Sequence, residues 1–139
     1  MSKEMREYNK MYRKHRKQMI ELAKEDRDWD WIYLHNLVIA KIKHMYEYYT
    51  SRNNVWQTDE TLIPIIESLK HVLDLQEEID QLFEIDIEGI QYEHISANET
   101  RVEYSEEVLN KIENEYKREQ ELYEEIYSYI GKNMRGWWD

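Results

Sequence analysis

Apolar positions recur at helical spacing through most of this chain. In the opening segment, SKEMREYNKMYRKHRKQMIELAKEDRD, Met5, Tyr8, Tyr12, His15, Met19 and Leu22 follow one another at steps of three and four. That heptad-like stripe predicts an amphipathic helix that needs a partner helix to cover it. A second stripe follows Asp28 and Asp30, either of which can cap a helix by accepting a bond from an orphan amide. It runs through Trp31, Leu34, Leu37, Val38, Ile42, Met45 and Tyr49. Lys41, His44, Tyr48 and Arg52 form a neighbouring stripe at helical spacing. The polar stretch TSRNNVWQTDET then predicts a loop.

A third helix is expected to start near residues 58–61, with Pro64 tolerable only in its first turn. Leu62, Ile65, Ile66, Leu69, Val72, Leu73, Ile79, Leu82 and Phe83 give it a strong apolar face. Residues 84–104, EIDIEGIQYEHISANETRVEY, lose the helical period and alternate in places around a Ser-Ala-Asn-Glu turn. A short β-hairpin and an ordered loop both fit. Ser105 is placed to cap the last helix, with Glu106 and Glu107 in its first turn. Val108, Leu109, Ile112, Tyr116, Leu122, Tyr123, Ile126 and Ile130 mark its buried face, and Gly131 is expected to end or kink it. The fold class is therefore all-α: a four-helix bundle-like arrangement with a short irregular or hairpin insertion before the last helix. Residues 1–27 would be a basic helix packed on its own or a neighbouring subunit, and 28–139 the bundle domain.

Composition agrees with long helices: only 3 Gly and 1 Pro break a chain of 139 residues, 35% of which are charged. That length suits one domain with a core of its own. Absence of cysteine excludes disulfides and thiolate metal sites. With no twenty-residue apolar run and no signal peptide, a soluble cytoplasmic protein is expected, away from membranes.

Charge changes the picture more. The net charge is −11, but residues 1–27 carry nine Lys and Arg against five acids, so the first helix is +4 and the rest −15. A body that acidic argues against bulk duplex nucleic acid as a partner. A small anion can still bind where basic side chains converge. The KMYRKHRK face, residues 10–17, can contact nucleic acid or phosphate. Equally, it can be a solvated face that pairs with acidic helices of its own or a neighbouring subunit.

Motifs for catalysis are missing: no phosphate-binding Gly loop, no nucleophile elbow, no HExxH. A carboxylate di-metal centre would want Glu-x-x-His pairs, and none occurs. Glu67 and His71 stand four apart, while His15, His35, His44 and His94 are scattered. The chain is expected not to be an enzyme and to hold no metal or cofactor. What remains is aromatic: DWDW at 28–31 and WWD at 137–139. These rings suit a structural plug at the bundle end. With Lys132 and Arg135 beside Trp137 and Trp138, they suit a stacking platform equally well, stacking being worth roughly 1–3 kcal/mol per base.

Residues 28–49, DWDWIYLHNLVIAKIKHMYEYY, and residues 122–139, LYEEIYSYIGKNMRGWWD, resemble the two ends of a family of small bacteriophage helical proteins. That family's pattern is Asp-Trp-Asp-aromatic, a Leu, a Lys-hydrophobic pair and Met-x-x-Tyr, closing on Leu-Tyr and Trp-Trp-Asp. The likeness covers 40 of the 139 residues. It implies a phage counter-defence protein akin to the sponges of CBASS or Thoeris immunity, which bind cyclic nucleotide messengers without hydrolysing them. A homo-oligomer would pool residues around the ligand. The expected site stacks bases on Tyr48, Trp137 and Trp138 and holds phosphates with Lys41, His44, Arg52 and Arg135. The alternative is a helical protein-interaction module with no small ligand, docking on a host or phage protein. A third reading is nucleic-acid binding through residues 3–17.

Overall fold

A computed structural model of the chain describes residues 1–26, 30–51, 59–84 and 90–137. Four helices carry the fold: α1 (Lys3–Ala23), α2 (Trp31–Thr50), α3 (Asp59–Asp80) and α4 (Glu106–Asn133). A hairpin of β1 (Ile90–Ser96) and β2 (Glu99–Tyr104) precedes α4, and a 3-10 turn at Met134–Trp137 follows it. The fold is mainly helical rather than wholly so, since residues expected to be hairpin or loop pair as an antiparallel two-stranded sheet.

Side-chain oxygens start the helices. Ser2 accepts from the Met5 amide at 3.1 Å, Asp30 from Ile32 at 3.0 Å and Ser105 from Val108 at 3.2 Å. Each satisfies a donor that the first turn leaves unpaired. Of the two aspartates before α2, Asp30 is the cap; Asp28 lies outside the described residues. Pro64 sits in the second turn of α3, not the first. The carbonyl that its missing N–H leaves unpaired is that of Glu60, and both residues are exposed, so water can satisfy it. Gly131 neither ends nor caps α4, which runs through it to Asn133.

The core joins three helices, not four. Ile39, Ile42, Met45 and Tyr49 of α2 meet Leu62, Ile65, Leu69, Val72, Leu75 and Ile79 of α3, closed by Leu122, Ile126 and Trp137. No residue of α1 is buried, and its main packing is against α2 of the same chain. Trp31 and Leu34, expected on the buried stripe of α2, are 62% and 64% exposed. The face that turns inward holds His35 instead, 2% exposed. Its Nε2 contacts Gln76 Oε1 and its Nδ1 contacts Tyr127 Oη, both at 2.6 Å. With an amide oxygen accepting at Nε2, the ring hydrogen sits there, and the Tyr127 hydroxyl donates to Nδ1. Gln76 passes the chain on by donating to Asp80 at 2.9 Å. Both ring nitrogens of this buried imidazole are thereby satisfied.

Phe83 closes the exit of α3 with a positive φ of 64°, so the apolar face of the helix stops short of it. Its amide donates to Glu115 at 2.9 Å, and its ring packs on Tyr116 at 4.7 Å. These contacts from α4 offset a left-handed backbone that costs a non-glycine residue about 1–2 kcal/mol.

Candidate functional site

The stripe Tyr8, Tyr12, His15 and Met19 of α1 faces α2, where Lys41, His44 and Tyr48 share a side. The two faces enclose an open cleft of about 340 Å³, lined by Tyr8, Tyr12, His15, Lys41, His44 and Tyr48, with Met11, Met45 and Tyr49 also on its wall. Three of the seven residues expected to bind ligand therefore line one cavity. None of its described lining residues is a carboxylate. A larger groove of about 640 Å³ runs along the C-terminal half of α1, but Glu21, Glu25, Glu47 and Asp80 border it alongside Lys17 and Lys43. An anion is better received in the cleft whose described lining holds no acid.

Aromatic rings make its walls. Tyr8 stacks along Tyr12 with centroids 6.4 Å apart and meets Tyr48 edge-on at 5.9 Å. Tyr12 remains 53% exposed, leaving ring surface for a ligand. Burial, and then the neighbouring Tyr8, raise the Tyr48 phenol above its ordinary value, so it stays a protonated donor.

At the back of the cleft His15 and His44 stack face to face, 4.0 Å apart and 5° from parallel. His15 Nε2 lies 2.9 Å from Glu47 Oε2, and Lys14 reaches the other oxygen at 3.1 Å. The bond to His15 first, with that of Lys14, holds the Glu47 carboxyl below its usual range. His44 is lowered from 6.5 to about 4 by burial first and by the charge of His15 second. Its Nε2 meets Gln18 Oε1 at 2.8 Å. At neutral pH it is thus an uncharged ring whose N–H is already engaged, and its free Nδ1 lone pair would repel a phosphate oxygen. Lys41, exposed at the cleft edge, is the cation that α2 contributes to the described lining.

The remaining expected residues do not gather here. Trp137 is 4% exposed, a core residue and not an open stacking surface. Its indole donates to Ser68 Oγ at 2.8 Å, and its carbonyl accepts from the Tyr49 hydroxyl. Of the two roles open to the C-terminal rings, the plug describes Trp137. Arg135 is exposed on the 3-10 turn and does not line the cleft. Arg52 and Trp138 lie outside the described residues. Tyr8, Tyr12 and His15 form a recognisable helix stripe in the sequence, but nothing in their spacing tells which helix they face.

Among the described residues no group of three or more His, Cys, Asp or Glu side chains is placed to hold a metal ion, and no helix is long and apolar enough to cross a membrane. Comparison with protein-family models, curated proteins and solved structures finds no match to this chain.

Proposed function

We propose that this protein binds a nucleotide in the cleft between α1 and α2 and sequesters it without converting it. The ligand class we favour is the cyclic (oligo)nucleotide immune signal that a phage counter-defence protein would remove. One observation supports the reading: Tyr8 and Tyr12 of α1 and Lys41 and Tyr48 of α2 line one cleft with no carboxylate among its described lining residues. A base stacks on the exposed Tyr12 ring, a phosphate meets Lys41 Nζ, and the Tyr48 hydroxyl donates beside it. A volume of about 340 Å³ lies at the small end of ligand pockets. It suits one nucleotide unit, so a cyclic dinucleotide would be shared between two copies of the chain.

Thermal-shift and calorimetric titration with cyclic di- and trinucleotides test this. Lys41→Ala and Tyr12→Ala should each weaken binding at least tenfold, Arg135→Ala should not, and the ligand should be recovered intact. Normal binding by both cleft variants would sink the site. Recovery of a cleaved ligand would sink sequestration.

A second reading, a protein-interaction module without a small ligand, draws on the hairpin. The register pairs Tyr92 with Val102, and Tyr104 lies two residues on along the same face. Tyr92 and Tyr104 are 64% and 43% exposed, an apolar surface that a protein partner would cover. Absence of any nucleotide shift would favour it.

A further inference from the structure

The outer face of α1 carries Lys3, Arg6, Lys10, Arg13 and Lys17, all exposed. Their steps of three and four confine them to about 80° of the helix circumference, opposite the stripe that faces α2. The row is about 21 Å long at 1.5 Å per residue. Among the described residues the ion pairs of α1 and its C-cap are those of Lys14 and His15 with Glu47 and of Lys24 with Glu21. Among the described residues the five cations of the row have no carboxylate partner. Pairing with another helix of the same subunit is confined to Lys14, beside the row, which meets Glu47 of α2.

We propose that this row docks on the phosphate backbone of a nucleic-acid duplex, independently of base sequence. A strand presents one negative charge per about 3.4 Å of duplex axis, so the row spans about six phosphates. No aromatic ring shares the face, so it has nothing with which to stack unpaired bases, and duplex is favoured over single strand. Net charge alone argued against such a partner, but it treats the molecule as one charge. The row stands off the acidic body by the thickness of a helix, about 10 Å, against a screening length of about 8 Å at physiological salt. Glu47, a body carboxylate that touches α1, is already held by Lys14 and His15. A second copy is the weaker occupant. Several carboxylates on its α3 and α4 are occupied internally, Glu78 and Glu121 by Arg118, Glu113 by Lys117 and Asp74 by Lys70.

Fluorescence anisotropy with a labelled 20-base-pair duplex of arbitrary sequence tests this on the full chain. Five phosphate contacts predict a log–log salt slope of about −4.5, or about a 500-fold loss of affinity between 50 and 200 mM salt. Arg6→Gln/Lys10→Gln/Arg13→Gln should retain the helical circular dichroism, bind more weakly at 50 mM and lower the slope to about −1.8. Lys10→Gln alone should lower it by about 0.9. The cleft variants Tyr12→Ala and Lys41→Ala should bind duplex as the parent does, which keeps this surface separate from the nucleotide site. No binding at 50 mM salt, or a slope that the folded triple variant leaves unchanged, overturns the proposal. So does sedimentation of the protein alone as a dimer at 50 mM salt that the triple variant abolishes, because the row is then occupied by a second copy.

Discussion

Helices α1 and α3 are nearly equal in length, at 21 and 22 residues, and both are amphipathic, yet they occupy opposite extremes of burial. On α3 a row of aliphatic residues disappears into the core, with Leu69 and Val72 at 0% exposure. On α1 nothing is buried. The difference lies in what the stripes are made of. Leu, Ile and Val have no polar end, so only a dry interface serves them. Tyr, His and Met on α1 reach their partner through rings and polar tips, as in the Tyr8–Tyr48, His15–Glu47 and Gln18–His44 contacts. Amphipathicity thus announces that a helix has a partner, while side-chain type decides how deeply the two sink into one another. A polar, half-wet seam also leaves the open space where a ligand can enter.

The largest expected effect on this contrast comes from the core side. Trp137→Ala should cost about 3–5 kcal/mol in denaturant unfolding, by removing a buried ring, and it also takes the indole donor away from Ser68. Leu69→Ala should cost about 2–5 kcal/mol. Tyr8→Ala, on the other helix, should cost under about 1 kcal/mol, since a half-exposed ring gives up little area. A comparable loss at Tyr8 would break the contrast.

His35→Ala comes next. It leaves Gln76 and the partly exposed Tyr127 without their ring partner, and each lost hydrogen bond costs about 0.5–1.5 kcal/mol. Chemical denaturation measures it, and a neutral result would mean that water replaces the imidazole.

Acid should separate the two helices. The folded value of His44, about 4, lies below its ordinary 6.5, so the released ring binds more protons within that window. The seam is therefore at full strength above about pH 6.5 and weakens as pH falls toward 4. Glu47, held below its usual range, acts in the same direction at the lower end. Hydrogen exchange should show the α1 amides losing protection between pH 7 and 5 while those of α3 keep theirs, after correction for the intrinsic rate. His44→Gln should remove most of that dependence.

The smallest effect is a gain. Nothing lies within 4 Å of a Cβ built on Gly131. Gly131→Ala should raise global stability by about 0.5–1 kcal/mol and leave the opening of α1 untouched.

Much of this architecture was legible because it rests on local signals. Asp30 and Ser105 are short oxygen-bearing side chains just ahead of apolar periods, and both cap. Most of the α3 core was legible as aliphatic spacing, though that stripe passed over the buried Leu75. The inward face of α2 was misplaced because reading only apolar types drew the stripe through Trp31 and Leu34. The row His35, Ile39, Ile42, Met45 and Tyr49 fits helical spacing as well, and its first member is polar. Half of the cleft was legible as the Lys41, His44 and Tyr48 stripe. Its other wall was not, since sequence spacing orders residues within a helix but not between two. The same limit hid the role of Trp137: its partner Ser68 is 69 positions away, and no local pattern points across that distance.

The contacts that bind α2 to α4 and to the 3-10 turn after it bear on how fast the chain reaches this state. Hairpin strands, and helices packed on the next one in sequence, are local pairings of the kind that form quickly. Tyr49 with Trp137 and His35 with Tyr127 span 88 and 92 positions. Doubling a loop adds only about 0.6 kcal/mol of closure entropy, yet these seams must close before the core exists. We expect the slow step of folding to be the return of α4 onto α2. Substitutions along that seam should therefore slow refolding, whereas those in α1 should change only the rate of its own release.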